Sequence, residues 1–421
     1  MTNILATTIS KILLSRRSAE VVLVYLGFSL KFLSPLVLYP VLARRLGIFD
    51  FGLFVSAYGL ATVLSVIIEY GFSMSGTRAI ALARDVQEKA QIASDVVFSR
   101  LLLVPLVAIV GLLISSASSH LRDNFVLVAL AVGLGIMQGG SSLWYFQGVG
   151  KPVRGVAVEA FGQLTALGLI MMFVVDGHGL LLALFFQLIG FAIVCGLGGC
   201  MMFAQVGFRA PTMRSLVTSL RDTFPLFFSR ASVVIFSTAS VFLMSVLAKP
   251  QDAAVYGASD RVIGAFTAFL SPLASIMLSK LVGETSRDRL RGLNLSIIMI
   301  STVAFVYSMI TVFLLFFSHT LMSFLFGAQF KEGGDVLNVL ALTLPIIAAN
   351  TVMGAQVLVS LRMDKYIAIT LSGAAVVSLV STFLIVPNYA GIGMASSRII
   401  TEIFIFLCYS FLILRARKAP G

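Results

Sequence analysis

Four basic side chains stand inside stretches of sequence that are otherwise apolar: Lys31, Arg230, Arg261 and Arg398. A charged group at the centre of a bilayer costs roughly 2.5–3.5 kcal/mol on insertion scales, so such a residue usually serves a ligand or an ion. A guanidinium binds phosphate through two parallel hydrogen bonds. We therefore predict that these four residues bind an anionic substrate, with phosphate as the first candidate.

The sequence around Arg230 reads FFSRASVVIF, and no acidic residue occurs between Thr223 and Pro250. Arg230 therefore has no partner on its own segment. Lys31 also follows an FS pair near the start of its half of the chain, deep enough to face a cavity. Arg230 stands only about six residues inside its segment, so its side chain could instead extend to the lipid headgroups. Both interpretations stay open for Arg230.

Four acidic residues share these apolar stretches, and we predict conformational or coupling roles for them: Glu69, Glu159, Asp260 and Glu402. Asp260 precedes Arg261 directly, but neighbours at i,i+1 diverge on a helix and need not pair. Arg398 and Glu402 are four residues apart, which favours an ion pair along one helix. We therefore expect three basic residues, Lys31, Arg230 and Arg261, to point inward without enough acid nearby to neutralise them.

The composition determines which elements position these charges. Of the 421 residues, 59% are hydrophobic and only 11% are charged, with a mean hydropathy of +1.03. Soluble domains are about 25% charged. Apolar runs of about 20 residues, enough to cross a bilayer as helices, recur along the whole chain. We predict an all-α polytopic membrane protein with twelve spans, at 21–42, 49–71, 98–117, 124–147, 155–175, 179–204, 224–248, 253–279, 294–317, 335–359, 366–386 and 390–414.

The basic residues also predict how the chain is oriented. If the N-terminus is cytoplasmic, 21 Lys and Arg residues lie in cytoplasmic segments and only 5 on the opposite side. This asymmetry predicts that both termini are cytoplasmic. The polar stretch 206–223 separates six spans from six, so we predict an N-terminal lobe (1–205), a cytoplasmic linker (206–223) and a C-terminal lobe (224–421). Parallel repeats of this kind hold their substrate between the lobes near the midplane.

Motifs for catalysis and metal binding are missing from the sequence. It contains no HExxH, no CxxC and no phosphate-binding GxxxxGK[ST]. The predicted loops are too short for a soluble catalytic domain. We therefore expect no enzyme activity, no cofactor and no metal. Any energy for transport would come from an ion gradient, with a proton or sodium as the coupling ion, or from a partner.

Four stretches, in order along the chain, resemble the polysaccharide-repeat flippases, which are the Wzx-like branch of the MATE/MOP superfamily. The stretches are VLARRLGIFDFGLFVSAYGL (41–60), WYFQGVGKPVRG (144–155), AAVYGASDRVIGAF (253–266) and LFGAQFKEGGDVLNVLAL (325–342). In the third stretch, that family carries a Lys or Arg at the position of Arg261. The resemblance implies two six-helix lobes around a central, often cationic, cavity.

The resemblance also implies a function: export of an undecaprenyl-diphosphate-linked oligosaccharide across the bacterial inner membrane by alternating access. The expected partners are that lipid-linked oligosaccharide, the bilayer and other polysaccharide-assembly proteins, with no nucleic acid. Two alternatives stay open. A MATE-type drug exporter would favour an acidic cavity for cationic drugs. A membrane-embedded glycan polymerase or acyltransferase would need a large external loop or a catalytic His/acid set.

Overall fold

We describe the protein from a computed structural model that covers residues 16–177, 179–237, 239–270, 281 and 289–418, with side chains from Pro35 onward apart from short gaps. These ranges contain helices, turns and no strand, which confirms the all-α prediction. The first half of the described chain, up to Val206, forms the following helices: α1 (Arg16–Glu69), α2 (Phe72–Leu82), α3 (Val86–Ser115), α4 (Ser119–Arg122), α5 (Phe125–Gly139), α6 (Leu143–Gly148), α7 (Pro152–Phe173) and α8 (Leu180–Val206).

The second half begins at Met213, inside the linker predicted for 206–223. Its helices are α9 (Met213–Ser237), α10 (Ala239–Leu247), α11 (Pro250–Ala268), α12 (Arg289–Phe326), α13 (Gly333–Ala341), α14 (Leu344–Val352) and α15 (Asp364–Lys418). A 3₁₀ turn at Ala328–Phe330 precedes α13, and a π-helical segment at Met353–Leu358 continues α14.

Two helices are long enough to cross a membrane twice. α1 has 54 residues and α15 has 55, whereas about 20 span a hydrocarbon core. Each is interrupted by a kink at one non-helical residue with positive φ: Gly47 (φ 74°) in α1 and Ala390 (φ 43°) in α15. Glycine adopts this conformation without a steric cost. Each long helix therefore holds two of the predicted spans.

Eight helices of the described chain are long and apolar enough to cross a membrane. Counting α1 and α15 twice, they hold ten of the twelve predicted spans. The other two predicted spans correspond to α9–α10 and to α11, and part of each lies outside the described residues.

Four prolines of the predicted spans, at 35, 40, 272 and 345, occupy different places. α1 continues through Pro35 and Pro40, whereas Pro345 stands in the first turn of α14. A proline there starts a helix instead of bending it, because its missing N–H would have no partner in that turn. Pro272 lies outside the described residues.

The two halves pack against each other through small residues on α1 and α11, and these two helices pack together more extensively than any other pair of described helices. A Cβ atom added to Gly52 would stand 1.9 Å from the carbonyl oxygen of Pro250. One added to Gly257 would meet the Val55 side chain at 2.4 Å. Small residues allow helix backbones to approach closely in a membrane, and here they hold the two halves together.

Turns from both halves meet on one side of the bundle, which we call the Gly47 face. Arg44 there donates from Nε to the carbonyl of Leu325 (3.2 Å) and from a terminal nitrogen to that of Phe324, at the end of α12. Ser118 Oγ donates to the Ser245 carbonyl at 2.8 Å. The Gly47 face is therefore closed by hydrogen bonds between the halves.

On the opposite side, which we call the Tyr70 face, α9 crosses the ends of α1 and α2. Tyr70 and Phe227 stack with ring centroids 4.6 Å apart. Thr223 Oγ1 donates to Ser75 Oγ at 3.1 Å. The two halves thus touch at both faces.

Candidate functional site

Arg261 lies about halfway through the bundle. It is eleven residues inside α11, counted from Pro250, which is about 16 Å at 1.5 Å per residue. Tyr39 stands eight residues before Gly47 on α1, and Tyr58 stands eleven residues after it. The three side chains therefore reach similar depths, near the middle of a hydrocarbon core about 30 Å thick.

The Arg261 guanidinium bridges the two halves at this depth. A terminal nitrogen donates to the Tyr39 hydroxyl at 2.8 Å. The guanidinium carbon lies 4.4 Å from the Tyr39 ring centroid and 6.0 Å from that of Tyr58. Among the described residues, no carboxylate stands within ion-pair distance of Arg261. Its charge is therefore held by a hydroxyl and two ring faces, which hold a cation in place without cancelling its charge.

Arg398 pairs with Asp260, and this corrects our prediction that Glu402 would be its partner. The Arg398 and Asp260 side chains form a hydrogen-bonded ion pair and are only 15% and 23% exposed. Asp260 comes from α11 and Arg398 from α15, so the pair joins two helices of the second half. Helix packing brings these distant residues closer together than the i,i+4 spacing brings Arg398 and Glu402.

Glu402 is fixed by an amide instead. Asn350 Nδ2 donates to the Glu402 carboxylate at 2.7 Å and to its carbonyl at 3.0 Å. Glu402 is 8% exposed and Asn350 is 7% exposed. The charge of Arg398 still acts on Glu402 from one turn away. Asp260, Arg398 and Glu402 thus form one polar group, in which the Glu402 carboxylate is bound by a neutral donor.

Arg230 and Glu69 form a separate cluster, away from Arg261. Arg230 Nε lies 3.4 Å from Glu69 Oε2, with side chains 54% and 15% exposed. Glu69 is eleven residues, or about 16 Å, further along α1 than Tyr58. Arg230 therefore has an acidic partner, supplied by the other half of the chain. We had expected Arg230 to be one of three inward charges without enough acid nearby.

Glu159 and Lys31 complete the predicted residues. Glu159 is 9% exposed on α7, and its Oε1 accepts a hydrogen bond of 2.9 Å from Ser141 Oγ. The backbone of Lys31 lies in α1, but its side chain lies outside the described residues. The predicted cavity contact of Lys31 therefore stays a prediction.

Arg100 is a buried charge that we had counted among the cytoplasmic basic residues. It is 5% exposed, donates to the Ser141 carbonyl at 2.9 Å, and lies 5.8 Å from the Phe72 ring and 5.9 Å from the Trp144 ring. A local signal for this burial exists in the sequence.

That signal is the helix start at Asp85–Glu88. The Glu88 N–H donates to Asp85 Oδ1 at 2.7 Å, and the Arg84 N–H donates to the Glu88 carboxylate at 2.8 Å. An acidic cap followed three residues later by Glu predicts a helix start. Applied here, that rule begins α3 at Val86 instead of 98 and places Arg100 four turns inside the helix.

Chemically, the arrangement offers a binding site. The described residues contain no group of three or more His, Cys, Asp or Glu side chains placed to hold a metal. At mid-depth, the Arg261 guanidinium is held between two tyrosines, and the Asp260–Arg398 ion pair lies next to it. Such a site can bind an anion between the two halves.

Comparisons with known proteins are consistent with this architecture. Residues 18–278 match the family described as polysaccharide biosynthesis protein. A candidate O-antigen transporter of Shigella dysenteriae is 26% identical over 402 residues, covering 92% of this chain and 98% of that protein.

Two solved structures share the fold. The lipid II flippase MurJ, in an inward closed conformation, has a TM-score of 0.71 at 16% identity, covering 93% of this chain and 87% of its own. An inward-facing multidrug resistance MATE family transporter of the MOP superfamily has a TM-score of 0.70 at 17% identity, covering 95% and 96%. The predicted MOP-type fold is confirmed.

Proposed function

Because the chain belongs to the polysaccharide biosynthesis protein family, we propose that it moves a lipid-linked oligosaccharide across a bacterial inner membrane. The proposed cargo is an undecaprenyl-diphosphate-linked repeat unit for surface polysaccharide. The observation that carries this proposal is Arg261, a cation between the halves at mid-depth with no ion-paired carboxylate in the described chain. A diphosphate would supply the missing negative charge.

The proposed cargo has a charged diphosphate and an apolar lipid tail, and each part suits its surroundings. A diphosphate accepts two parallel hydrogen bonds from a guanidinium, and such charge-assisted bonds are about twice as strong as neutral ones. The lipid tail would stay in the bilayer, where it needs no polar partner. Arg398 would add little to this binding, because its charge is already paired with Asp260.

Alternating access would carry the headgroup past Arg261. The Gly47 face is closed by Arg44 and Ser118 in this structure, so release on that side requires these hydrogen bonds to break. We assign the Tyr70 face to the cytoplasm, because exposed basic residues such as Arg78, Arg84 and Arg209 lie there. Both termini are then cytoplasmic, and export runs from the Tyr70 face to the Gly47 face.

Export of cationic drugs is a weaker alternative. Such an exporter needs an accessible carboxylate at mid-depth. Asp260 is paired with Arg398, and Glu402 is bound by Asn350. Neither acid is available unless its present partner leaves, so an anionic cargo suits the site better.

A chromosomal deletion tests the proposal. We expect the deleted strain to accumulate lipid-linked oligosaccharide on the inner leaflet and to lose a surface polysaccharide, with both effects reversed by the intact gene on a plasmid. The Arg261→Gln gene should fail to restore the polysaccharide at matched protein level. Normal surface polysaccharide in a deletion strain without a second homologue would contradict the function.

A further inference from the structure

Glu69 pairs with an arginine of the other half of the chain, and a second arginine, on its own half, lies near the turn that follows it. Its Oε2 is 3.4 Å from Arg230 Nε on α9. Its Oε1 accepts hydrogen bonds from the N–H of Ser73, at 3.1 Å, and from the Ser73 hydroxyl. Oε2 is buried and accepts no hydrogen bond within the described chain. One carboxylate oxygen is therefore anchored within the first half, and the other is free to change partners.

The second arginine is Arg100, on the same half as Glu69. Its guanidinium carbon lies 5.8 Å from the ring centroid of Phe72, three residues after Glu69, although Arg100 and Glu69 do not form an ion pair in this structure. Arg100 Nε is buried and has no hydrogen-bond partner among the described residues, while a terminal nitrogen binds the Ser141 carbonyl. A buried guanidinium with an unused N–H is costly. Arg100 thus has a buried Nε–H without a hydrogen-bond partner among the described residues, close to the turn that follows Glu69.

We propose that Arg100 is a positioning residue that receives Glu69 when an anionic cargo takes Arg230. The inference rests on the proposed function, since the cargo is its diphosphate. Arg230 is more than half exposed, so an arriving phosphate can reach it, and a diphosphate competes well with a single carboxylate for a guanidinium. Glu69, left without Arg230, keeps its contacts with Ser73 and turns Oε2 towards Arg100.

This exchange loosens the Tyr70 face when cargo arrives. Arg230 belongs to α9 and Glu69 to α1, so their ion pair holds the two halves together. The Thr223–Ser75 hydrogen bond and the Tyr70–Phe227 stack lie beside it. Once Glu69 pairs with Arg100, its contacts lie within one half, and α9 is free to move with the cargo.

A disulfide between residues 75 and 223 reports this movement. The two hydroxyl oxygens of Ser75 and Thr223 are 3.1 Å apart, so the pair Ser75→Cys and Thr223→Cys changes little else. The background replaces Cys195, Cys200 and Cys408 by Ala. Cross-linked fraction is measured in proteoliposomes with and without polyprenyl-diphosphate-linked oligosaccharide, and with the uncharged polyprenol as a control.

In the reporter background we expect the diphosphate cargo, but not the polyprenol, to lower the cross-linked fraction about two- to five-fold, the range of an exposed ion pair. With Arg100→Gln the cargo should cause no decrease, whereas Arg100→Lys should restore it. With Glu69→Gln the fraction should be low from the start and unresponsive. A role of Arg100 in packing alone would lower the fraction without cargo and leave the response intact.

The outcomes separate the two claims. No response in the reporter background would contradict the diphosphate cargo, and this inference with it. A response in Arg100→Gln equal to that of the background would overturn the role of Arg100 and leave the cargo standing. If the Arg100→Gln protein does not accumulate, the Glu69→Gln variant tests the exchange instead. A normal cargo response in the absence of the Glu69 carboxylate would contradict the exchange.

Discussion

At the scale of single residues, Arg261 carries the function that we assign to the protein. Its contacts with the Tyr39 hydroxyl and with two rings hold it between the halves without cancelling its charge. Positive charge held in this way can serve an anion, and a charge needed only for folding would have an acid beside it, as Arg398 has.

We expect Arg261→Gln to lower transport at least tenfold while insertion and protein level stay normal. A hydrogen bond to a charged group contributes about 1.5–3 kcal/mol, which corresponds to roughly ten- to a hundredfold in binding. Arg261→Lys should recover part of the activity, since the charge remains but the planar fork is lost. Export assayed at matched expression checks this. Arg122→Gln, at an exposed ion pair with Asp123, is the control and should transport normally.

Replacing Arg398 should lower the stability of the protein, whereas replacing Arg261 should lower transport. Arg398→Gln leaves the partly buried Asp260 without its partner, and breaking a fully buried pair typically costs about 3–5 kcal/mol, which is the upper limit here. We expect a lower protein level and a lower melting temperature in detergent. The double change Asp260→Asn with Arg398→Gln should restore much of both, whereas Glu402→Gln with Arg398→Gln should not. Equal recovery in the two doubles would contradict the Asp260 pairing.

At the scale of elements, the contact between α1 and α11 sets how the halves close. Gly52 faces the backbone of Pro250, which cannot move aside as a flexible side chain could. The same helix thus carries the tyrosines of the site and the glycine that closes the Gly47 face. Closure and cargo contact are therefore coupled through one rigid element.

Gly52→Ala should force the Gly47 face open. Overpacking typically costs about 1–3 kcal/mol, enough to shift a closed-to-open ratio roughly five- to a hundredfold. Ser245→Cys, at a position buried beside this face, should then label faster with a membrane-impermeant maleimide. Gly196→Ala is the matched control, because a Cβ there meets nothing within 4 Å. Equal labelling rates in both variants would show that Gly52 does not limit closure.

The elements also show how far sequence reasoning reaches. The apolar runs predicted the all-helical membrane fold and ten of twelve spans as apolar helices, because hydrophobic length is a local property. The partner of Arg398 was missed, since Asp260 is 138 residues away and only packing brings the two together. Glu69 was assigned a conformational role without its partner for the same reason. The burial of Arg100 was missed through a helix start that the Asp85–Glu88 cap would have shown.

At the scale of the whole molecule, the distribution of basic residues predicts which face of the protein is cytoplasmic. The basic residues around α2, α3 and the start of α9 are exposed at the Tyr70 face. We expect single cysteines at Arg84 and Arg214, in the background without native cysteines, to label only after cells are permeabilised. A cysteine at Arg122, on the opposite face, should label in intact cells. Labelling of position 84 or 214 in intact cells would reverse the proposed topology.

The central claim is that a cationic site between two halves carries a lipid-linked diphosphate across the bilayer, and translocation in proteoliposomes tests it directly. The protein is reconstituted with polyprenyl-diphosphate-linked oligosaccharide, and the sugar exposed on the outer leaflet is followed with an impermeant enzyme. We predict that the intact protein equilibrates the cargo between leaflets, that Arg261→Gln slows this at least tenfold, and that a lipid-linked sugar without phosphate is not moved. Equal rates for the intact protein and Arg261→Gln, or equal rates for charged and uncharged cargo, would contradict the account.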